Sequence, residues 1–356
     1  MQNGPTQATD TLPPGTSPPV PLTAPTRTKW LLFVAFACGI VCLVLAIAVR
    51  QLWHMQKYIP EPPFDIRTND TRLQSAQDYS SLQWGDLDLL KIHDPILLAL
   101  PDQPFATGAS GAIYLGRFLD QQVAIKTLHS DAPTHVQSFI RELQVLGTIK
   151  SSHIVELAGV AWTHPGNIQG VMEYMDMGDL RTHLATTSPA TFSWSAKINC
   201  ADSIAKGLFY LHSMQMIHRD LKSRNVLVDS VKGAKLSDFG SSKEVVYGDT
   251  MTAAVGTFRW MAPEMLLFQG YSNAVDIFSF GVVLTELDSH ALPYADLGET
   301  LSDEAIARRV IHGGLRPSFG QDCPVWVRTL ALRCMAANPD DRPSATQIIY
   351  CIKTES

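Results

Sequence analysis

The residues best suited to chemistry lie in the second half of the chain, in the stretch His218–Asn225. This stretch contains an acid, Asp220, a lysine, Lys222, and an amide, Asn225, and a second acid, Asp238, follows after a short apolar run. Phosphoryl transfer needs such a set, because one acid orients a hydroxyl and accepts its proton, an acid and an amide bind Mg²⁺, and lysines hold phosphate oxygens. The order and spacing of these groups therefore indicate phosphoryl transfer.

A glycine-containing loop and a lysine earlier in the chain could hold the phosphates. Gly108 and Gly111 lie between two predicted strands, and glycines let backbone amides approach phosphate oxygens closely. An ordinary glycine-rich hairpin is the alternative interpretation of this loop. Lys126 ends the apolar run Val123–Lys126, where a lysine needs an anion, and Glu142 is the candidate partner. This lysine favours a phosphate site over a plain hairpin.

These groups require strands and helices to position them. Short apolar runs rich in β-branched residues predict strands at 113–118, 123–127 and 170–174. Apolar residues that recur at spacings of three and four predict an amphipathic helix carrying Glu142: Val136, Phe139, Ile140, Leu143 and Leu146. After Asp179 the pattern predicts mainly helices, at 196–213, 273–287, 302–312 and 325–336. The chain is therefore expected to have an α+β fold, with a β-rich lobe followed by an α-rich lobe.

With these motifs the chain resembles the eukaryotic protein kinase family over residues 92–352. The resemblance implies the bilobal protein kinase fold, with ATP as the phosphate donor, Mg²⁺ as the cofactor and proteins as substrates. It also implies that Asp220 is the catalytic base and that Asn225 and Asp238 are the Mg²⁺ ligands.

The resemblance further implies an ATP-binding surface in the first lobe. Lys126 would bind the α- and β-phosphates while pairing with Glu142. The other implied ATP contacts are Gly108, Gly111, Ile113, Ala124, Met172 at the gatekeeper position, and the hinge residues Glu173 and Met175, which receive adenine. Ala106 stands where the family has its first loop glycine, so the loop is expected to be stiffer and to cover the phosphates less well.

Two motifs indicate the subclass. Lys222 stands two residues after Asp220, as in the catalytic loop of serine/threonine kinases. The stretch Gly256–Glu264 resembles the tyrosine-kinase-like group, which is mostly specific for serine and threonine, and there Thr257 would hydrogen-bond Asp220 and Lys222. The chain is therefore expected to be a serine/threonine kinase. A catalytically idle scaffold that uses the kinase fold to bind partners at a membrane is the alternative.

Further residues concern support and control of the catalytic loop. The resemblance implies that Asp276 supports this loop and that Arg342 pairs with Glu264 at the end of the activation segment. Arg219 directly precedes the catalytic base and has no obvious neutralising partner among the fixed residues of the loop, so a phosphothreonine at Thr250 or Thr252 in the hydroxyl-rich segment 241–257 is its expected partner. The alternative is that these threonines only solvate a mobile loop.

The N-terminal quarter of the chain differs in composition from the rest. Residues 1–29 are rich in proline and threonine and are expected to be disordered. Residues 30–49 carry no charge and are long enough for one transmembrane helix, with a cleaved signal peptide as the alternative. Residues 50–91 form a polar linker. A slight excess of basic residues after the span favours a cytosolic kinase domain; a lumenal domain, which glycosylation at Asn69 would support, is the alternative.

The overall composition excludes other classes of function. A net charge of −6 provides no basic field for coating nucleic acid, so no nucleic-acid partner is expected. The six cysteines form no CxxC pair, which argues against a disulfide scaffold and a structural zinc site and favours reduced, buried thiols. Because the segment before the predicted span is short, reception of a signal would require dimerisation or a co-receptor.

Overall fold

The first lobe is built on an antiparallel sheet with the strand order β1-β2-β3-β5-β4. The computed structural model describes residues 78–92, 103–108, 111–239, 243–244, 258–298 and 301–356. The strands of the sheet are β1 (Ala106–Thr107), β2 (Gly111–Phe118), β3 (Gln121–Leu128), β4 (Leu157–Ala161) and β5 (Gln169–Glu173). The register places Ile113 on β2 opposite Lys126 on β3, and Ala124 on β3 opposite Met172 on β5.

Helix α1 (Pro133–Thr148) packs against this sheet. Pro133 occupies the first helical position, where its missing N–H costs nothing. The five apolar residues that predicted the helix are all buried: Val136, Phe139, Ile140, Leu143 and Leu146. Burial of this stripe fixes the rotation of the helix about its axis, and Glu142 points towards Lys126 as a result.

The second lobe is mainly helical, as its sequence pattern predicts. Its helices are α2 (Leu180–Thr186), α3 (Trp194–Ser213), α4 (Pro263–Leu266), α5 (Ala274–Ser289), α6 (Asp303–Gly313), α7 (Val325–Cys334) and α8 (Ala345–Glu355). Every residue from Val275 to Asp288 in α5 is buried, so this helix is the centre of the lobe. An α-helix that is apolar on all sides needs protein neighbours on all sides, and α3 and α7 are two of those neighbours.

Two short antiparallel pairs flank the predicted catalytic residues. Strand β6 (Met216–Ile217) pairs with β9 (Lys243–Glu244), and β7 (Val226–Asp229) pairs with β8 (Gly233–Leu236). Gly233 has φ +75°, a left-handed conformation that a side chain would disfavour at this hairpin turn. The catalytic stretch therefore runs between β6 and β7 and is held by both pairs.

The bilobal α+β fold expected from the sequence is confirmed in the described residues. The three predicted strands and five predicted helices are present, with ends that differ by a few residues. Strands β4, β6, β8 and β9 and the short helices α2 and α4 were not predicted. Glycine and alanine, which have low strand propensity, make up most of β4, so its pairing with β5 is what makes it a strand.

The predicted transmembrane segment, residues 30–49, lies outside the described residues. Among the helices that the structure does describe, none combines the length and the apolar character needed to cross a bilayer. The tail at 1–29 and the first part of the predicted linker also lie outside the described residues.

The end of the predicted linker is ordered. Residues 85–90 form a 3-10 helix, and Leu87 in this helix is 1% exposed. The folded part of the chain therefore begins before residue 92, the boundary that the sequence suggested.

Candidate active site

The carboxylate of Asp276, on the buried helix α5, holds the backbone of the catalytic stretch in place. Asp276 on α5 accepts hydrogen bonds from the backbone N–H groups of His218 and Arg219, both at 2.9 Å, and from His212 Nε2 at 2.9 Å. Burial opposes ionisation of Asp276, but these hydrogen bonds and the neighbouring histidines hold its pKa below the ordinary value. Asp276 therefore stays charged and fixes the backbone just before Asp220, as the resemblance implied.

Asp220 is surrounded by hydrogen-bond donors from its own stretch. Lys222 Nζ lies 2.7 Å from Oδ2 and 3.0 Å from Oδ1 of Asp220. Asn225 Nδ2 donates to Asp220 Oδ2 at 2.9 Å and to the Asp220 carbonyl at 2.7 Å. The carboxylate is thus oriented by two side chains and kept next to a cation, a suitable arrangement for a group that accepts a hydroxyl proton.

Asn225 and Asp238 present oxygen atoms that fit Mg²⁺. Because the Asn225 amide nitrogen is committed to Asp220, its Oδ1 is the atom left for a cation. The Asp238 side chain is half exposed, and Asp238 has φ +62°, an uncommon conformation for a residue with a side chain. Amide and carboxylate oxygens together with phosphate oxygens are the ligands that Mg²⁺ prefers. The donor set therefore fits the implied metal, although neither residue forms a complete metal site alone.

Lys126 forms the ion pair with Glu142 that the sequence suggested. Its Nζ lies 2.5 Å from Glu142 Oε1 and 3.7 Å from Asp238 Oδ1. Although burial disfavours the ammonium, the carboxylates of Glu142 and Asp238 together raise the pKa of Lys126, so the group stays charged. Both side chains of the pair are largely buried, at 13% and 11% exposed. The packing of α1 against the sheet accounts for this burial.

Hydrogen bonds fix Gly108 and Gly111, the described residues of the glycine loop, and the hinge residue Glu173. The N–H of Gly108 donates to the Gly111 carbonyl at 2.9 Å, and His129 Nε2 lies 3.0 Å from the Gly108 carbonyl. A Cβ on Gly111 would lie 1.8 Å from the Thr127 carbonyl oxygen, so only glycine fits there. At the hinge, Glu173 Oε1 accepts from Lys235 Nζ at 2.6 Å. Its side chain therefore ties the hinge to β8.

The remaining predicted ATP contacts are distributed around this surface. Ile113 and Ala124 lie on β2 and β3, Met172 is partly buried on β5, and Met175 is buried just after β5. Thr257, expected to hydrogen-bond Asp220 and Lys222, lies outside the described residues, so this contact stays a prediction.

A buried glutamate under the catalytic stretch was not predicted. Glu286 on α5 accepts a hydrogen bond from Ser223 Oγ at 2.6 Å and from Trp260 Nε1 at 2.7 Å. Burial raises the pKa of Glu286 to about 7 despite these hydrogen bonds. The one signal in the sequence was an acid among apolar residues on all sides of the predicted helix 273–287. Glu286 connects the catalytic stretch to the segment that carries Trp260.

Two further features were anticipated. Arg342 binds Glu264 through two hydrogen bonds, Nη1 to Oε1 at 2.6 Å and Nη2 to Oε2 at 2.9 Å. Cys200, Cys323 and Cys334 are buried free thiols as expected, whereas Cys351 is only partly buried. Burial raises the pKa of Cys200 to about 12, which makes it unreactive. The described residues contain no group of three or more His, Cys, Asp or Glu side chains that could hold a metal.

Comparison with known proteins identifies the family. The family described as protein tyrosine and serine/threonine kinase matches residues 102–352. The chain belongs to this family, and the matched residues are a protein kinase domain.

Individual relatives agree with this assignment. Serine/threonine/tyrosine-protein kinase HT1 of Arabidopsis thaliana is 34% identical over 257 residues, which cover 70% of this chain and 64% of that protein. Serine/threonine-protein kinase STY17 of Arabidopsis thaliana is 32% identical over 70% of this chain and 43% of its own length. Mitogen-activated protein kinase kinase kinase 13 of Mus musculus is 31% identical over 85% of this chain and 28% of its own length. The chain thus spans less than two thirds of the length of each of these relatives.

Proposed function

We propose that this chain is a serine/threonine protein kinase that transfers the γ-phosphate of ATP to hydroxyl groups of protein substrates. The observation that carries the proposal is the contact of Lys222 Nζ with both carboxylate oxygens of Asp220. A lysine at this position brings a positive charge to the place where the hydroxyl nucleophile and the γ-phosphate must meet. The names of the relatives, which include serine/threonine kinases, support the same specificity.

Each residue of the site has a defined task in this proposal. Asp220 orients the substrate hydroxyl and accepts its proton, while Lys222 stabilises the charge on the transferred group. Asn225 and Asp238 would hold Mg²⁺, which neutralises the phosphate charge and aligns the γ-phosphate for transfer. Lys126, positioned by Glu142, binds the phosphates that remain on the nucleotide.

We further propose that the kinase is tethered to a membrane by residues 30–49, with its catalytic domain in the cytosol. The charge-free length of this segment and the slight basic excess after it support the proposal.

An in vitro kinase assay tests the catalytic proposal. The full chain is incubated with Mg²⁺ and ATP and a generic protein substrate, and the modified residues are mapped by mass spectrometry. We expect phosphoserine and phosphothreonine, and Asp220→Asn should lower turnover by roughly 10²- to 10⁴-fold with little change in ATP binding, because only the proton acceptor is lost. Absence of transfer by the wild-type chain would favour the idle scaffold. Unchanged turnover in Asp220→Asn would exclude Asp220 as the base.

A further inference from the structure

Residues 79–92, which precede the part of the chain matched by the kinase family, lie along helix α1. The backbone N–H of Gln83 donates to Gln137 Oε1 at 2.7 Å. Gln144 Nε2 donates to the carbonyls of Gln83 at 3.1 Å and Trp84 at 2.7 Å. Gln137 and Gln144 are two helical turns apart and therefore lie on one face of α1. Both glutamines thus hold the same short piece of backbone against the helix.

Apolar contacts extend this attachment to the sheet. The rings of Trp84 and Trp162 stack with their centroids 4.8 Å apart, and Lys91 Nζ lies 4.0 Å from the centre of the Trp162 ring. Leu90 packs directly on α1, because a Cβ on Gly147 would lie 2.5 Å from Leu90 Cδ1. The segment is therefore fixed both to α1 and to the end of β4.

The attachment continues at both ends of the segment. Tyr79 Oη donates to the Asp131 carbonyl at 2.9 Å, just before α1 begins. At the other end, the N–H of Ile92 donates to the Val160 carbonyl on β4 at 2.8 Å. The segment thus spans from the start of α1 to the sheet, and we call residues 79–92 the N-terminal clamp.

The glutamate that pairs with Lys126 lies on another face of the same helix. Glu142 precedes Gln144 by two residues, so the two side chains leave α1 in roughly opposite directions. Glu142 reaches Lys126 on β3, while Gln144 reaches the clamp. A rotation or a shift of α1 that broke the clamp contacts would also move Glu142 away from Lys126.

We propose that the N-terminal clamp positions Glu142, and that Trp84 and Gln144 are positioning residues for phosphoryl transfer. The clamp holds α1 in the position in which the Lys126–Glu142 ion pair forms. A segment of the chain outside the matched kinase domain therefore controls the activity of that domain. This inference rests on the proposed kinase activity, and the reaction step it affects is the alignment of the ATP phosphates by Lys126.

The first test compares substitutions in the full chain. Trp84→Ala, which removes the stack on Trp162, and Gln144→Met, which removes two hydrogen bonds but preserves the helix, should each lower kcat by about 3- to 30-fold. The KM for the protein substrate should stay unchanged, because the clamp is proposed to act only on the alignment of the ATP phosphates. Trp84→Phe should recover part of the activity. Leu89→Ala is the matched control, because Leu89 lies in the same segment and is 83% exposed, and it should behave as wild type.

A double-mutant cycle separates positioning from general stability. If the clamp acts through Glu142, Gln144→Met should lower kcat no further in a chain that already carries Glu142→Gln. Losses that multiply in the double variant, or wild-type kcat in both single variants, would overturn the inference. Should Trp84→Ala fail to fold, Gln144→Met carries the test alone. A wild-type chain that transfers no phosphate would instead overturn the proposed function.

Discussion

At the scale of single residues, the catalytic stretch depends on acids placed at different depths. Asp220 faces the cleft, and Asp276 lies below it and binds the backbone. Glu286 is fully buried and accepts from Ser223 and Trp260. Asp220 and Asp276 could be predicted because both lie in motifs by which the sequence resembles the kinase family. Glu286 could not, because a glutamate in a predicted helix is normally solvated and only the packing of the whole lobe buries it.

The buried Glu286 should make stability depend on pH. Its folded pKa of about 7 lies above the ordinary 4.5, so the folded protein binds more protons than the unfolded chain between these values. Stability from this group is therefore complete below pH 4.5 and is lost as the pH rises through about 7. In Glu286→Gln the amide can accept from Trp260 and donate to Ser223 without ionising.

Between about pH 5 and about pH 8, wild type should lose on the order of 1–3 kcal/mol of unfolding free energy relative to Glu286→Gln. Denaturant unfolding at several pH values measures this difference. Parallel pH profiles for the two proteins would show that Glu286 does not titrate in this range.

At the scale of elements, the helices whose apolar residues repeat at helical spacing were predicted most accurately from the sequence. Helix α1 was predicted because its apolar stripe repeats at helical spacing, and the stripe is buried as expected. The 3-10 helix Gly85–Leu90 was missed, because it has two acids, Asp86 and Asp88, and a single buried residue, Leu87, which gives no periodicity. Its position depends on contacts with Gln137 and Gln144, which lie far away in sequence and cannot be inferred from local pattern.

The pair of Glu264 and Arg342 should contribute strongly to the stability of the helical lobe. It joins α4 to the turn before α8, and Arg342 also donates to the carbonyls of Ala274 at 3.0 Å and Ala336 at 2.9 Å. Because the Arg342 side chain is fully buried, Arg342→Leu would leave the Glu264 charge buried without its partner. We expect a loss of about 3–5 kcal/mol in unfolding free energy.

A surface ion pair on α3 provides the control for this measurement. Lys206 lies 2.5 Å from Asp202, one turn away on the same helix, and both side chains are partly exposed. Lys206→Met should cost less than about 1 kcal/mol, because water screens such a pair. Equal losses for Arg342→Leu and Lys206→Met would contradict a special role of the buried pair.

At the scale of the whole molecule, the catalytic domain is proposed to be joined to a membrane through the N-terminal clamp. Protease added to the cytosolic side of sealed membranes should digest residues 92–352 and spare only the short N-terminal tail, because the basic excess after residue 49 favours this orientation. Immunoblots against the two ends of the chain would follow the digestion. A protected kinase domain would reverse the orientation and support a lumenal kinase.

Control by phosphorylation would connect the catalytic stretch to residues 241–257. Arg219 Nε is buried and has no hydrogen-bond partner among the residues that the structure describes, although its guanidinium lies 5.1 Å from the centre of the Tyr271 ring. Thr250 and Thr252 lie outside the described residues. A phosphothreonine at either position would offer Arg219 a charge-assisted hydrogen bond.

We therefore expect ATP-treated protein to carry phosphate at Thr250 or Thr252, and the combined Thr250→Ala and Thr252→Ala variant to lose most of its activity. Mass spectrometry and turnover measurements check these outcomes, with Thr354→Ala, near the end of α8, as the control. Active enzyme with no phosphate in this segment would rule out this form of control.

The burial of α5 on every side also has a consequence for biosynthesis. A helix with no solvated face cannot be covered until α3 and α7 have both been made and packed, and α7 is synthesised after it. During translation the apolar residues of Val275–Leu287 are therefore exposed to solvent, and such surfaces bind chaperones or aggregate. Truncation before Val325 would remove α7 and leave one side of this helix uncovered, so we expect such chains to aggregate rather than to show partial activity.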